Sequence, residues 1–132
     1  MPNLVRAIIL LMPDINSSFT PLERAVLKAI YEMHSEDRPA LEVQLLTATV
    51  RGRENTGAGF FTTFDVERAS STAIGGERLR NGPEAKIDGL QHGMGFILWL
   101  EEGYANCLEG YASADSTAGV DLERTGFEIM PY

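Results

Sequence analysis

His92-Gly93-Met94-Gly95-Phe96-Ile97-Leu98-Trp99-Leu100-Glu101-Glu102-Gly103-Tyr104-Ala105-Asn106-Cys107-Leu108-Glu109-Gly110-Tyr111 is the stretch from which the fold can be read. It holds the densest apolar run of the chain, its single Trp and its single Cys. Phe96, Ile97 and Trp99 favour an extended, pleated backbone. Glu101-Glu102-Gly103 then interrupts, and three residues ending in Gly suit a turn closed at positive φ. The stretch therefore predicts a β-hairpin in which Leu100 pairs with Tyr104. In that register Met94, Phe96, Leu98 and Leu100 share a face with Tyr104, Asn106 and Leu108. Gly95, Ile97 and Trp99 share the other with Ala105, Cys107, Glu109 and Tyr111. Glu109 then faces Gly95 and Tyr111 faces Gly93, so absent side chains leave space beside a carboxylate. A two-residue turn would exchange the faces of one strand.

Working outward, residues 21–34 predict the clearest helix. Thr20 is an N-cap, Pro21 suits the first turn, and Glu23 completes a capping box. Leu22, Val26, Ala29, Ile30 and Met33 form one stripe, widened by Leu27 and Tyr31, with Glu23 and Glu32 on the polar side. Pro39 marks a boundary. Residues 41–53 read as extended, with Val43, Leu45, Thr47 and Thr49 alternating. After the turn signal Asn55-Thr56-Gly57, residues 58–67 read as a strand. Residues 69–84 read as loop with one short strand near Thr72–Ile74, residues 85–90 as strand, 112–121 as loop, and 122–130 as an edge strand ending at Pro131. There is an internal echo: Gly57-Ala58-Gly59-Phe60 and Gly93-Met94-Gly95-Phe96 each open an apolar strand.

These elements amount to one α+β domain over residues 1–132. One principal N-terminal helix is expected to pack on a mostly antiparallel sheet of about five strands. Residues 1–18 are expected to be an N-terminal extension or dimer arm. Their apolar run, residues 4–12, is broken only by Arg6 and is too short to span a bilayer. One helix cannot cover both faces of a sheet that carries Phe60, Phe61, Phe64, Phe96, Trp99 and Tyr111. Residues 4–12, a second copy or a ligand must cover the other face, and a homodimer through the sheet or the N-terminal segment is expected.

A net charge of −8 argues against nucleic acid and against an anionic membrane surface as partners. Cys107 is the single cysteine, which fits a reducing cytoplasm. The Gly57-x-Gly59 and Gly93-x-Gly95 pairs lack the third glycine and following helix of a dinucleotide loop. His34, His92 and Cys107 have no zinc-site spacing, so neither metal nor cofactor is expected. Cys107 among apolar residues reads as an inert structural thiol.

The segments Thr56-Gly57-Ala58-Gly59-Phe60-Phe61-Thr62, His92-Gly93-Met94-Gly95-Phe96 and Leu108-Glu109-Gly110-Tyr111, with the helix opening Thr20-Pro21-Leu22-Glu23-Arg24-Ala25-Val26-Leu27, resemble a family of small bacterial proteins. The likeness runs over residues 19–111. It implies an intracellular bacterial domain and assigns no catalytic residues. The chain departs from the family after Tyr111, where relatives carry a more acidic, aromatic and proline-containing segment.

The residues therefore point to a small non-catalytic cytoplasmic binding or interaction protein. Its pocket is expected near Gly57, Gly59, Gly93, Gly95, Glu109 and Tyr111, and its partner is a small molecule or a protein. The alternative is a small hydrolase or isomerase using Glu109 as general acid or base with His92 or Tyr111. A carboxylate on an apolar strand is costly unless paired, and Arg51, Arg53, Arg68, His92 and Tyr111 are its candidate partners.

Overall fold

The structure is a computed structural model that describes Ile15 and residues 18–132. The expectations attached to residues 1–14 lie outside the described residues. Among these there are two α-helices, α1 (Pro21–Met33) and α2 (Arg38–Leu46), and six strands. The strands are β1 (Thr49–Asn55), β2 (Gly59–Asp65), β3 (Leu79–Ile87), β4 (Met94–Glu101), β5 (Tyr104–Tyr111) and β6 (Phe127–Ile129). They form one antiparallel sheet in the order β1-β2-β5-β4-β3-β6. The α+β class and the antiparallel sheet stand. The single principal helix becomes two helices, and about five strands become six.

α1 starts as its sequence predicts. Thr20 Oγ1 accepts from the Glu23 backbone N–H at 3.1 Å, and Glu23 Oε1 accepts from the Thr20 N–H at 2.8 Å. Leu22, Val26, Leu27, Ile30 and Tyr31 are buried. Glu23 is buried too, correcting its expected place on the polar side. It lies four residues before Leu27 and seven before Ile30, so it continues their row on the helix surface.

α2 overturns the reading of residues 41–46 as extended. Val43, Leu45, Thr47 and Thr49 alternate by letter, but Leu41, Gln44, Leu45 and Ala48 are the buried positions, a helical spacing. Gln44 can be buried because its amide is satisfied. Nε2–H donates to the carbonyls of Thr72 and Gly103, and Oε1 accepts from the Ala105 N–H. Pro39 sits in the first turn of α2, where a missing N–H costs nothing.

β3 begins six residues earlier than expected and ends three earlier. Gly82 and Pro83 form a bulge between the pairs Asn81↔Ile97 and Glu84↔Gly95, which hides the strand's first half in loop-like letters. Residues 72–74 do not form a strand. Ile74 instead donates its N–H to the Gly103 carbonyl at 2.8 Å. β6 is the short edge of the sheet, inside the expected span 122–130.

The hairpin turn has two residues, not three. Glu102 at φ 55 and Gly103 at φ 86 follow the type I′ pattern, and Glu101 pairs with Tyr104. That turn would invert the faces of β5, but a bulge corrects it. Leu100 pairs with Ala105 and Trp99 with Cys107, leaving Asn106 unmatched. Beyond the bulge Leu108 and Gly110 join Phe60, Phe64, Met94, Phe96 and Leu98 on the helix side, while Ile97, Trp99, Cys107, Glu109 and Tyr111 turn outward. Only Tyr104 and Ala105 exchange faces relative to expectation. Glu109 therefore pairs with Ile97 rather than Gly95, and Tyr111 with Gly95 rather than Gly93.

Candidate functional site

The two Gly-Xaa-Gly-Phe segments meet on either side of the end of β5. Gly59 and Gly95 both pair with Tyr111, and Phe60 and Phe96 both pair with Gly110. The rings of Phe60 and Phe96 lie 6.2 Å apart across Gly110. A Cβ at Gly110 would stand 2.4 Å from the Phe60 ring. On the other face the Tyr111 ring covers Gly95, where a Cβ would come within 2.4 Å of it.

Residues 112–121 tie this end together. Asp115 Oδ2 accepts from the backbone N–H of His92 at 2.8 Å and lies 3.4 Å from its Nδ1. Two residues on, the buried Thr117 hydroxyl accepts from the Gly59 N–H at 3.0 Å and lies 2.8 Å from Asn55 Oδ1. The Thr117 N–H donates to the Gly57 carbonyl at 2.8 Å. The loop of residues 112–121 thus fastens both glycine segments. The His92 backbone N–H, with the imidazole adding to it, holds the Asp115 carboxyl below the usual carboxylate range.

A cavity of about 380 Å³ opens at this end on the outer side. It is lined by His92, Gly93, Gly95 and Tyr111, with Glu84 and Lys86 from β3 and Ser113 from the loop among the others. Leu90 and Met130 supply apolar wall. Met130 is held at the rim because its N–H donates to the Glu84 carbonyl at 2.8 Å. Four expected site residues are therefore brought together. Gly57 and Gly59 do not line this cavity; their loop closes on Thr117.

Glu109 does not line it either. It stands half-buried on the outer sheet face between Phe61 and Ile97, and the Trp99 indole N–H donates to its Oε1 at 2.9 Å. The arginines proposed for it are engaged elsewhere: Arg51 with Asp65 at 3.1 Å, Arg53 with Glu23 at 2.8 Å, and Arg68 with Glu102 at 2.8 Å. In the neighbouring row of the sheet, burial and then the charge of Glu109 push the Cys107 thiol up to about 11.

Sequence reading missed Lys86, Glu84 and Asp115. The first two had a signal, since Glu84-Ala85-Lys86-Ile87 alternates polar and apolar, and the strand puts Glu84 and Lys86 on the face that Gly95 opens. Asp115 had none, because a loop carboxylate carries no periodic mark.

A second cavity, of about 230 Å³, lies on the helix side beside Glu23, Arg53, Thr62 and Leu122. Burial works to raise the Glu23 pKa, but bonds from Arg53, the Thr62 hydroxyl and the Thr20 N–H outweigh it and leave the carboxyl below its ordinary value. Every acceptor site used there is already occupied by protein, which makes it a clasp between α1 and the sheet edge. Among the described residues no three His, Cys, Asp or Glu side chains are placed to hold a metal, and no helix is long and apolar enough to cross a membrane. No protein-family model, curated protein or solved structure matches the chain.

Proposed function

We propose that this protein is a small non-catalytic binding module whose ligand site is the cavity at the end of the central strands. The observation that supports it is the convergence of Gly93, Gly95, His92 and Tyr111 with Lys86 on one concavity. Two glycines withhold side chains there, an aromatic ring roofs the space, and an ammonium group stands at its wall. Such a site suits a small organic anion with an apolar body: Lys86 meets the anionic group, and Leu90 and Met130 meet the body. A lone free cysteine and the resemblance to an intracellular bacterial family support a cytoplasmic setting.

The alternative, a hydrolase or isomerase that uses Glu109 with His92 or Tyr111, has less support. Glu109 is held by the Trp99 indole and lies outside the cavity lining. The expected homodimer turns on what covers the outer sheet face.

The test is an amide NMR screen against small carboxylates, including aliphatic and aromatic amino acids. Binding should shift Gly93, Gly95 and Ser113, and Lys86→Met should abolish those shifts while leaving the unfolding midpoint nearly unchanged, since Lys86 is exposed. Shifts that survive Lys86→Met, or that cluster around Glu23 instead, would overturn the assignment.

A further inference from the structure

Glu84 and Lys86 are the only Asp, Glu, Lys or Arg side chains lining the cavity at the end of the central strands. They sit two apart on β3, beyond its bulge, where Glu84↔Gly95, Ala85↔Met94 and Lys86↔Glu128 run in regular register. Ala85 and Ile87 are buried toward the helices, so Glu84 and Lys86 stand together on the outer face. Their Cα atoms are roughly 7 Å apart, a span that two long side chains can bridge. They do not bridge it. Among the described residues neither Glu84 nor Lys86 has an ion-pair partner, and Glu128 has none either.

Tyr111 faces them from the other side of the cavity. It pairs with Gly95, which in turn pairs with Glu84, and the hydroxyl end of its ring reaches over Gly95. The row Tyr111–Gly95–Glu84 therefore sets an aromatic ring and a free carboxylate on either side of a position with no side chain.

We propose that the ligand of this cavity is a zwitterion, a free α-amino acid with an apolar side chain. The inference rests on the ligand site proposed above and adds the cationic half of the ligand. Lys86 takes the carboxylate, Glu84 takes the ammonium beside the Tyr111 ring, and Leu90 and Met130 meet the side chain. The local charge balance argues for this occupant. Glu128 stands across from Lys86 on β6, so two carboxylates flank one ammonium. A plain carboxylate entering there meets one attraction and two repulsions. An amino acid brings the cation that turns Glu84 from an opponent into a partner. One residue thus selects for the amino acid and against the simple anion. A peptide terminus carries only one of the two charges and leaves Glu84 or Lys86 unmatched.

Three probes on one skeleton separate the two halves of the ligand: L-phenylalanine, phenylpropanoate without the ammonium, and phenethylamine without the carboxylate. L-Leucine and isocaproate repeat the comparison with an aliphatic body. Amide NMR titrations follow Gly93, Gly95 and Ser113. Each amino acid should bind roughly fivefold or more tightly than its carboxylate or amine. Glu84→Gln should erase that margin, weakening the amino acids while the carboxylates bind as well as before or better. Lys86→Met should weaken amino acids and carboxylates alike. Both side chains are exposed, so an unchanged unfolding midpoint shows that each variant keeps its fold. Carboxylates that shift the same amides and bind as tightly as the amino acids keep the site and overturn the zwitterion. Amino-acid affinity unchanged in Glu84→Gln overturns it too. No shift at these amides with any of the five probes removes the site, and the inference with it.

Discussion

The segments Gly57-Ala58-Gly59-Phe60 and Gly93-Met94-Gly95-Phe96 carry the same letters at the same spacing and flank the same two residues of β5, yet their glycines exchange roles. In the first segment the second glycine is indispensable. Gly59 has φ 145, and a Cβ there would lie 2.0 Å from the Gly110 carbonyl oxygen. Gly57, at φ 85, has nothing within 4 Å. In the second segment it is the first glycine that cannot change. Gly93 has φ 72, and its Cβ would lie 2.4 Å from the Ala85 carbonyl oxygen. Gly95 would meet only the end of the Tyr111 ring. One segment needs its glycine to pass the Gly110 carbonyl in a turn closed by Thr117, and the other to pass the Ala85 carbonyl. A shared motif need not mean a shared role.

Alanine substitution should break the symmetry in that order. Gly59→Ala should cost roughly 4 kcal/mol or more, because both φ and a backbone oxygen oppose the methyl group. Gly93→Ala should cost about 3 kcal/mol for the same two reasons in milder form. Gly57→Ala should cost only about 1 kcal/mol, the strain of a left-handed backbone alone. Gly95→Ala should cost under about 1.5 kcal/mol, since a ring can swing aside. Urea unfolding of the four variants gives the ranking, and equal costs at Gly57 and Gly59 would remove the contrast.

Glu23 sharpens the comparison from the strand that Gly59 opens. Glu23→Gln should cost about 2 kcal/mol by weakening charge-assisted bonds to Arg53 and Thr62. The folded carboxyl titrates below its ordinary value of 4.5, so its contribution is complete above that pH and fades as pH falls through the lower folded value. Unfolding free energies measured from neutral pH into this acid window should fall less steeply in the variant. Thr117→Val should cost about 1.5 kcal/mol, because the Gly59 N–H loses its buried acceptor. Asp115→Asn should have the smallest effect, weakening the tie to His92. Its carboxyl also titrates low, so the contrast with wild type should shrink as pH falls, as followed by the His92 amide resonance.

Much of this architecture is legible in the letters, and the exceptions have physical causes. α1 announces itself through Thr20, Pro21 and Glu23, and the hairpin through its apolar run and Glu102-Gly103. α2 does not, because one of its buried positions is Gln44, whose amide bonds to loops distant in sequence make it invisible to a count of apolar residues. The first half of β3 hides behind Asn81-Gly82-Pro83, since a bulge tolerates the residues that usually mark loops. Of the expected site, His92, Gly93, Gly95 and Tyr111 converge because they share one end of neighbouring strands. Glu109 is misplaced by two residues along β4, one from the two-residue turn and one from the unmarked bulge at Asn106.

That bulge sets a rule about length rather than letters. With a two-residue turn before it, the single unmatched residue is what returns Leu108 and Gly110 to the helix side. Removing one residue between Tyr104 and Cys107 would turn Leu108 toward solvent and drive Glu109 into the core. True relatives of this chain should therefore keep the count from Trp99 to Tyr111 constant even where the amino acids drift. A sequence with a gap there should be aligned elsewhere or regarded as a different fold.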